Sequence, residues 1–352
     1  MQVTRDDLLE AAESGIITPE QADALRRFLE ARAPAPGMPR FGLVPVLWYG
    51  GALIVICAMG LFSTIGFASF GSGFLLVTAL VYAAAFGAAG VALTRRAAPF
   101  DALGGLLVTV AVSMAPLATY AVQDLMGWWG DTPPGAYNGF YVWIKQSWVP
   151  MDIATVAAGV IALTAVRFPF LVMPVAVALW FLSMDLAHWV TGGGVGEWEH
   201  ARQISMVFGL AVLVLAWAID VRARKDYAFW LHLFGLMAFW GGLTSLDSDS
   251  EVGKALYALI NVGLIALSVF LGRRAYAVFG VLGVAFYLGH LAYTVFEDSL
   301  LFPFALSLIG VCIIAVGIAL VKRAEAVQAW MRARLPAAVL ALRPAHVRNG
   351  AP

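Results

Sequence analysis

Residues 47–62 read LWYGGALIVICAMGLF, a stretch without a single charged side chain. The stretch lies inside a longer run, residues 41–94, that contains no Asp, Glu, Lys or Arg. One helix needs only about 20 apolar residues to cross the hydrocarbon core of a bilayer. The run is therefore long enough for two crossings, and it has a glycine-rich break, GFASFGSG, at residues 66–73. We expect two membrane-spanning helices here, divided at that break.

The composition of the whole chain agrees with this reading. Of its 352 residues, 61% are hydrophobic and only 12% are charged. Soluble domains have about 25% charged residues, so a soluble fold of this size would lack the polar side chains needed to cover its surface. The sequence therefore predicts an all-α polytopic membrane protein.

Applying the same length criterion along the chain predicts ten transmembrane helices within a bundle at residues 43–321. The predicted spans are 44–65, 73–94, 102–122, 152–166, 170–190, 203–219, 228–245, 254–271, 275–296 and 302–321. The 152–166 segment is the shortest of them. An eight-span arrangement, with 152–190 as a re-entrant pair, is the alternative.

The basic residues predict the orientation of the bundle. With ten spans and both the N- and C-termini cytoplasmic, all but three of the 22 Lys and Arg residues lie on the cytoplasmic side. The three exceptions are Lys145, Arg202 and Lys254. Cytoplasmic loops of membrane proteins carry such an excess of basic residues. We therefore predict that the N-terminus and C-terminus are both cytoplasmic.

A cytoplasmic helical hairpin is predicted at residues 1–33, followed by a proline-rich linker at 34–42. Gly15 suits the left-handed residue that ends a first helix. Thr18 and Gln21 have the spacing of a capping box at the start of a second helix. A hairpin this small cannot bury its apolar side chains by itself. We expect Ile16, Ile17, Leu25 and Phe28 to contact a protein partner, a second copy of the chain or the inner membrane face. The alternative is that the hairpin only caps the cytoplasmic side of the bundle.

The sequence SGIITPEQADALRRFLEAR, ahead of a multi-span bundle, resembles a bacterial predicted-membrane-protein family, domain of unknown function 2157. The specific part of the resemblance covers about residues 8–32, with the pattern GxIxxEQAxxL. The resemblance implies a hairpin-plus-bundle architecture and location in a bacterial inner membrane. It implies no reaction, because the motif contains no catalytic residue.

The C-terminal tail, residues 322–352, is basic and has an apolar stripe of Val327, Trp330 and Met331. We expect this stretch to lie on the anionic inner leaflet until Pro336 interrupts it. The lipid bilayer therefore accounts for the basic residues, and no nucleic-acid partner is predicted.

Ionisable and polar residues inside spans are the candidate functional site, because their burial in a membrane is costly. Asp185 and His188 share one helix face at i,i+3 spacing, and Asn261 and His290 fall at a similar depth. We predict that these four form a periplasm-facing polar layer, either a structural cluster or a substrate or proton site. Asp185, His188 and His290 are the minimum set for a metal site. His232 is expected at the opposite interface.

Three functional hypotheses follow. The first is an accessory or scaffold membrane subunit that acts through the cytoplasmic hairpin. The second is a small-molecule secondary transporter with 5+5 spans. The third is a membrane-embedded, metal-dependent hydrolase that uses the periplasmic Asp–His layer. No nucleophile motif and no cofactor motif occurs, so the enzyme is ranked last and no cofactor is predicted.

Overall fold

The computed structural model describes residues 8, 11–12, 14–32, 43–95, 101–128, 148–191, 197–223, 225–246 and 250–296, and parts of 303–347. Every element within these residues is helical. The helices, in chain order, are α1 (Pro19–Arg32), α2 (Leu43–Thr94), α3 (Asp101–Val112), α4 (Ala115–Met126), α5 (Val149–Ala165), α6 (Val172–Thr191), α7 (Glu197–Arg222), α8 (Phe229–Ser245), α9 (Glu251–Leu271), α10 (Arg274–Phe296) and α11 (Ala337–Ala341). A short 3-10 turn, Pro169–Leu171, precedes α6.

The fold has the number of long apolar helices that a multi-pass membrane protein requires. Six helices in the described part are long and apolar enough to cross a membrane. They are Phe70–Thr94, Asp101–Met126, Pro169–Leu186, Glu199–Arg222, Glu251–Leu271 and Arg274–Thr294. Two shorter apolar helices are Leu47–Met59 and Val149–Ala165. The predicted tenth span, 302–321, lies mostly outside the described residues.

The long helix α2 is divided at Gly71. This residue has φ 74° and ψ −179°, a backbone conformation that only glycine adopts without strain. The predicted break within residues 66–73 is therefore confirmed, and α2 consists of two arms. The predicted span 102–122 lies within the apolar segment Asp101–Met126, which is long enough to cross a membrane, but this segment is broken into two helices, α3 and α4, at Ser113 and Met114. Pro116 explains that break, because proline has no N–H to continue the helical hydrogen bonds.

The second arm of α2 packs closely on α3 through glycine. A Cβ atom on Gly90 would lie 2.7 Å from the carbonyl oxygen of Gly104, and one on Gly104 would lie 2.7 Å from that of Gly90. Neither position therefore accepts a side chain without movement of the backbone. Small residues at a contact between helices allow the two backbones to approach this closely.

The helices α7, α8, α9 and α10 share one apolar core. It contains Leu213, Leu236, Leu264, Leu271 and Tyr276. Because neighbouring helices alternate in direction, the end of α7, the start of α8, the end of α9 and the start of α10 lie at the same end of the bundle. That end is where the structure concentrates its buried charges.

The turn of the N-terminal hairpin has the predicted geometry. Gly15 has φ 70°, and its N–H donates to the carbonyl of Ala12 over 3.1 Å. The N–H of Thr18 donates to Oε1 of Gln21 at 2.9 Å, and the N–H of Gln21 donates to Oγ1 of Thr18 at 3.2 Å. These reciprocal bonds are a capping box. The predicted start of the second hairpin helix is confirmed.

A buried charge network as the candidate functional site

Five polar side chains form one connected cluster where α7, α8, α9 and α10 meet. We call it the charge network, and it consists of Asp220, Asp226, His232, Arg273 and Tyr276. Asp220 lies in the last turn of α7, Asp226 lies in the connection to α8, and His232 is in the first turn of α8. Arg273 lies between α9 and α10, and Tyr276 is in the first turn of α10.

Arg273 is held between two carboxylates. Its Nε donates to Oδ2 of Asp220 at 3.0 Å, and its Nη2 donates to Oδ1 of Asp220 at 2.6 Å. The Nη1 and Nη2 atoms also donate to Asp226, at 2.9 and 2.6 Å. Both carboxylates are therefore bound in the two-bond geometry that suits a planar guanidinium group. Asp220 is 3% exposed and Arg273 is 7% exposed, so their ion pair is removed from water.

Asp220 also contacts His232. The Nε2 atom of His232 lies 3.0 Å from Oδ2 of Asp220, and its Nδ1 lies 2.7 Å from the hydroxyl of Tyr276. A neutral imidazole with its proton on Nε2 satisfies both contacts, because Nε2–H donates to Asp220 while Nδ1 accepts from the Tyr276 hydroxyl. The chain of hydrogen bonds is thus continuous from Tyr276 through His232 and Asp220 to Arg273.

Asp226 also orders the start of α8. Its Oδ1 accepts a hydrogen bond from the N–H of Phe229, the first residue of that helix, at 3.1 Å. This satisfies one of the amide groups that have no partner within a helix. The same carboxylate therefore fixes the connection from α7 to α8 and holds Arg273 from the next connection along the chain.

The charge of Arg273 is stabilised by these neighbours. Burial alone disfavours the charged guanidinium, but the hydrogen bonds to Asp226 and Asp220 more than offset it and raise the pKa of Arg273 above its usual value. In the charge network, one guanidinium group is therefore shared by two carboxylates. Asp226, which is 47% exposed, carries its negative charge at the rim of the cluster.

The charge network is suited to a structural role and not to binding a substrate. His232 is 1% exposed and Tyr276 is 2% exposed, so neither is open to a substrate. A cavity of about 410 Å³ lies along α5 and α6 and is lined by Ile153, Val160, Leu182 and other apolar residues. It contains no residue of the network. His232 lies in the first turn of α8, near the end of its helix as predicted, and its ring is buried and in contact with Asp220 and Tyr276.

A second buried cluster, the acid pair, lies at the opposite end of the bundle. It consists of Asp152 in the first turn of α5 and Asp185 near the end of α6. The two carboxyl groups lie close enough to interact with each other. Asp152 is 9% exposed and Asp185 is 1% exposed. Two buried carboxylates in one site repel each other when both are ionised.

Asn261, another residue of the predicted layer, belongs to a different contact. It is completely buried, its Oδ1 accepts from Nε1 of Trp240 at 2.9 Å, and its Nδ2 donates to the carbonyl of Tyr257 at 2.8 Å. Its side chain fills the space beside Gly283, where a Cβ atom would lie 2.0 Å from Oδ1. Asn261 therefore joins α8, α9 and α10 by packing and hydrogen bonding.

His290 and His188 complete the account of that layer. His290 is 35% exposed, and its Nε2 lies 3.8 Å from Oε1 of Glu251 in α9. His188 is in α6, but its side chain lies outside the described residues. Asp185 interacts with Asp152, Asn261 is bonded to Trp240, and His290 lies near Glu251. The three residues of the predicted layer therefore have different partners. Among the side chains that the structure describes, no three His, Cys, Asp or Glu residues are placed to hold a metal ion.

Sequence reasoning missed the charge network. It assigned the basic residues at 222–225 and 273–274 to cytoplasmic loops, where they serve as topology signals. No local sequence pattern indicates these two contacts, because Arg273 is 53 residues from Asp220 and Tyr276 is 44 residues from His232. One signal was available in the sequence. Asp220, His232 and Tyr276 lie at the ends of three different predicted spans, and all three ends are predicted to be cytoplasmic.

The fold and these clusters define a class: an all-helical, membrane-embedded protein whose bundle contains two separate groups of buried ionisable residues. Beyond this class, comparison adds no identification, since no family model, no curated protein and no solved structure matches the chain.

Proposed function

We propose that this protein is an accessory or scaffold subunit of a bacterial inner membrane, and that its N-terminal hairpin is the surface that binds another protein. In this proposal the bundle crosses the membrane ten times, with both termini cytoplasmic. The charge network then lies at the cytoplasmic end and the acid pair at the periplasmic end. The resemblance of residues 8–32 to domain of unknown function 2157 supports the architecture and the location.

The observation that carries the proposal is the apolar surface of the hairpin. Leu8 and Ala22 are buried, at 8% and 7% exposure, whereas Ile16 is 75% exposed and Phe28 is 54% exposed. Leu25, one turn before Phe28, is 40% exposed. Residues three apart on a helix lie on the same face. Leu25 and Phe28 therefore form an exposed apolar patch on α1, and Ile16 is exposed in the turn before that helix, whose start is fixed by the capping box.

The described part of the bundle favours a structural role over a reaction. Its most connected polar cluster is enclosed, and the cavity along α5 and α6 is lined by apolar side chains. A substrate pocket usually combines an apolar wall with a few convergent polar groups. The hairpin thus has the surface suited to binding, while the bundle has the rigidity suited to anchoring it.

Site-specific photocrosslinking in intact cells tests the proposal. A photoreactive amino acid is placed at Ile16 or Phe28, with Asp23 as the matched control. Asp23 is exposed and lies about 140° around α1 from Phe28, so it reports a different face of the helix. We expect discrete protein adducts at Ile16 and Phe28, several-fold stronger than at Asp23. Equal crosslinking at all three positions, or none at any, would contradict the proposal.

Two tagged copies of the chain separate the kinds of partner. If the adduct of one copy contains the other tag, the hairpin mediates self-association. If it contains a different protein in reproducible stoichiometry, the hairpin recruits a partner. Replacing Ile16 and Phe28 by serine should abolish either adduct without changing the amount of protein in the membrane, since neither side chain is buried.

A second candidate function is secondary transport, and the acid pair is the observation that favours it. Buried carboxyl groups in a membrane bundle are the groups on which proton-coupled transporters rely. Under this alternative, Asp152→Asn abolishes proton-driven uptake while the hairpin adducts are unchanged. Under the scaffold proposal, the same substitution leaves the cellular phenotype of the protein intact.

A further inference from the structure

The C-terminal segment at residues 336–344 folds back onto the bundle. It begins at Pro336, includes the short helix α11 and ends with Arg343 and Pro344, both of which are buried. The predicted amphipathic stretch before Pro336 lies mostly outside the described residues. The segment after Pro336 is held by two hydrogen bonds to helices that precede it by more than 70 residues.

The first bond joins the segment to α7. Nε1 of Trp217 donates to the carbonyl of Leu342 at 2.9 Å. The Trp217 side chain also packs against the shared core of α7 to α10. An indole N–H has no acceptor capacity and needs a partner when its ring is packed in protein. The segment supplies that partner with a backbone carbonyl.

The second bond joins the segment to the end of α9. Nε of Arg343 donates to the carbonyl of Phe270 at 3.2 Å, and Arg343 is only 3% exposed. Phe270 is the next-to-last residue of α9, where helix carbonyls have no partner within the helix. A cation at this position also suits the negative end of the helix dipole. Arg343 therefore acts as a cap for α9 supplied from the far end of the chain.

Both contacts lie one helical turn from the charge network. Trp217 precedes Asp220 by three residues in α7, and Phe270 precedes Arg273 by three residues. The segment therefore connects α7 to α9 at the level where the Asp220–Arg273 ion pair connects α7 to the start of α10. The two connections hold the same ends of the same helices.

We infer that residues 336–344 are an intramolecular strap, which docks between the ends of α7 and α9 and is mechanically coupled to the charge network. Docking of the strap caps α9 and holds Arg273 in position for its two carboxylates. Loss of the network in turn frees the ends that the strap binds. This device is independent of the hairpin surface and would operate whether or not the hairpin binds a partner.

Fluorescence quenching in the full-length protein tests the docking. A bimane label is attached to Leu342→Cys in a Cys57→Ser, Cys312→Ala background, and the tryptophan that lies next to it quenches the label by contact. We expect the label to be dim in the parent protein and bright in the Trp217→Phe variant. Because this variant retains an aromatic ring in the core, it preserves most of the packing. Equal brightness in both would overturn the docking of the strap on α7.

The role of Arg343 is tested in the same labelled background. A lost hydrogen bond from a charged group lowers the ratio of docked to released strap by about ten-fold or more. We therefore expect Arg343→Ala to raise the fluorescence towards the Trp217→Phe value and Arg343→Lys to give a smaller rise. If Arg343→Ala leaves the label quenched, Arg343 does not hold the strap, and the inference fails.

The coupling to the network is tested with Asp226→Asn. This residue is half exposed and lies at the rim, so its substitution weakens the hold on Arg273 without exposing the core. We expect partial release of the strap, seen as an intermediate rise in fluorescence. A control substitution of the exposed Glu199, at the opposite end of α7, should leave the fluorescence unchanged. Unchanged quenching in Asp226→Asn would contradict the coupling.

Discussion

The charge network and the acid pair are both buried clusters of ionisable residues, yet they differ in how each charge is compensated. In the network, two carboxylates share one guanidinium, and a histidine and a tyrosine complete the hydrogen bonds. In the acid pair, a buried carboxyl group on α5 interacts with a buried carboxyl group on α6. The first arrangement depends on opposite charges, whereas the second is stable only when its two carboxyl groups are not both ionised. Removing a charge should therefore be more costly in the charge network than in the acid pair.

The largest effect is expected for Arg273→Ala. This substitution leaves the buried carboxylate of Asp220 without its ion-pair partner, and breaking such a pair costs about 3–5 kcal/mol. We expect a large fall in the thermal stability of the detergent-solubilised protein and a lower yield from membranes. Arg273→Lys keeps the charge but cannot form two parallel bonds to each carboxylate, so its loss should be intermediate.

A double substitution shows whether the uncompensated charge is the cause. Asp220→Asn combined with Arg273→Met removes both members of the pair, and it should be more stable than Arg273→Met alone. If the double variant were less stable than both single variants, packing rather than charge would explain the loss, and the contrast with the acid pair would disappear.

A smaller effect is expected for Tyr276→Phe. The change removes only the hydroxyl that is hydrogen-bonded to Nδ1 of His232, and it leaves a buried ring nitrogen without that partner. Such a loss costs about 1–3 kcal/mol. Thermal unfolding at fixed pH measures it, with Tyr293→Phe as the control, because Tyr293 is exposed at 51%. Equal stability of Tyr276→Phe and the parent protein would mean that the His232–Tyr276 bond does not contribute to the network.

The smallest effect, and the one most specific to the comparison, is expected for Asp152→Asn and Asp185→Asn. An amide supplies the hydrogen that the acid pair otherwise takes from a bound proton, so each change should alter stability by less than about 1 kcal/mol near neutral pH. The sign of the pH dependence differs. Ionisation of both carboxyl groups would place two like charges together in a buried site, so alkaline pH should lower the stability of the parent protein.

Unfolding followed from mildly acidic to alkaline pH separates these cases. The parent protein should lose stability with rising pH, and Asp152→Asn should lose less over the same range. Asp220→Asn, at the other end, should be destabilised at every pH in that range. If Asp152→Asn were as damaging as Asp220→Asn, the acid pair would be compensated in the same way as the charge network.

Much of the local structure could be predicted because it depends on neighbours in the sequence. The capping box joins residues three apart, and the break at Gly71 lies in a segment recognisable by its glycines. The apolar runs have the length of membrane-spanning helices for the same reason. The division of the predicted third span at Ser113 and Met114 was missed, although Pro116 is a local signal for it.

The candidate site was harder to predict, because its contacts depend on which helices become neighbours. Depth along a span placed Asp185, Asn261 and His290 in one layer, but depth gives no information on which direction a side chain faces. Asn261 contacts Trp240 and His290 lies nearest Glu251. Arg273 lies at the end of a predicted span and Arg343 lies in the basic tail, and no local pattern distinguishes either of them from the other basic residues that indicate topology.

The amino-acid sequence by itself determined that this chain is helical, that it contains helices long and apolar enough for a membrane, and that a capped hairpin precedes them. These properties follow from hydrophobic run length and from hydrogen bonds between close neighbours. Only the tertiary structure decided which charges are buried together and that residues 336–344 contact the ends of α7 and α9. Ion pairs and buried polar contacts join residues far apart in the chain, and their energies depend on burial and geometry that exist only after the helices have packed.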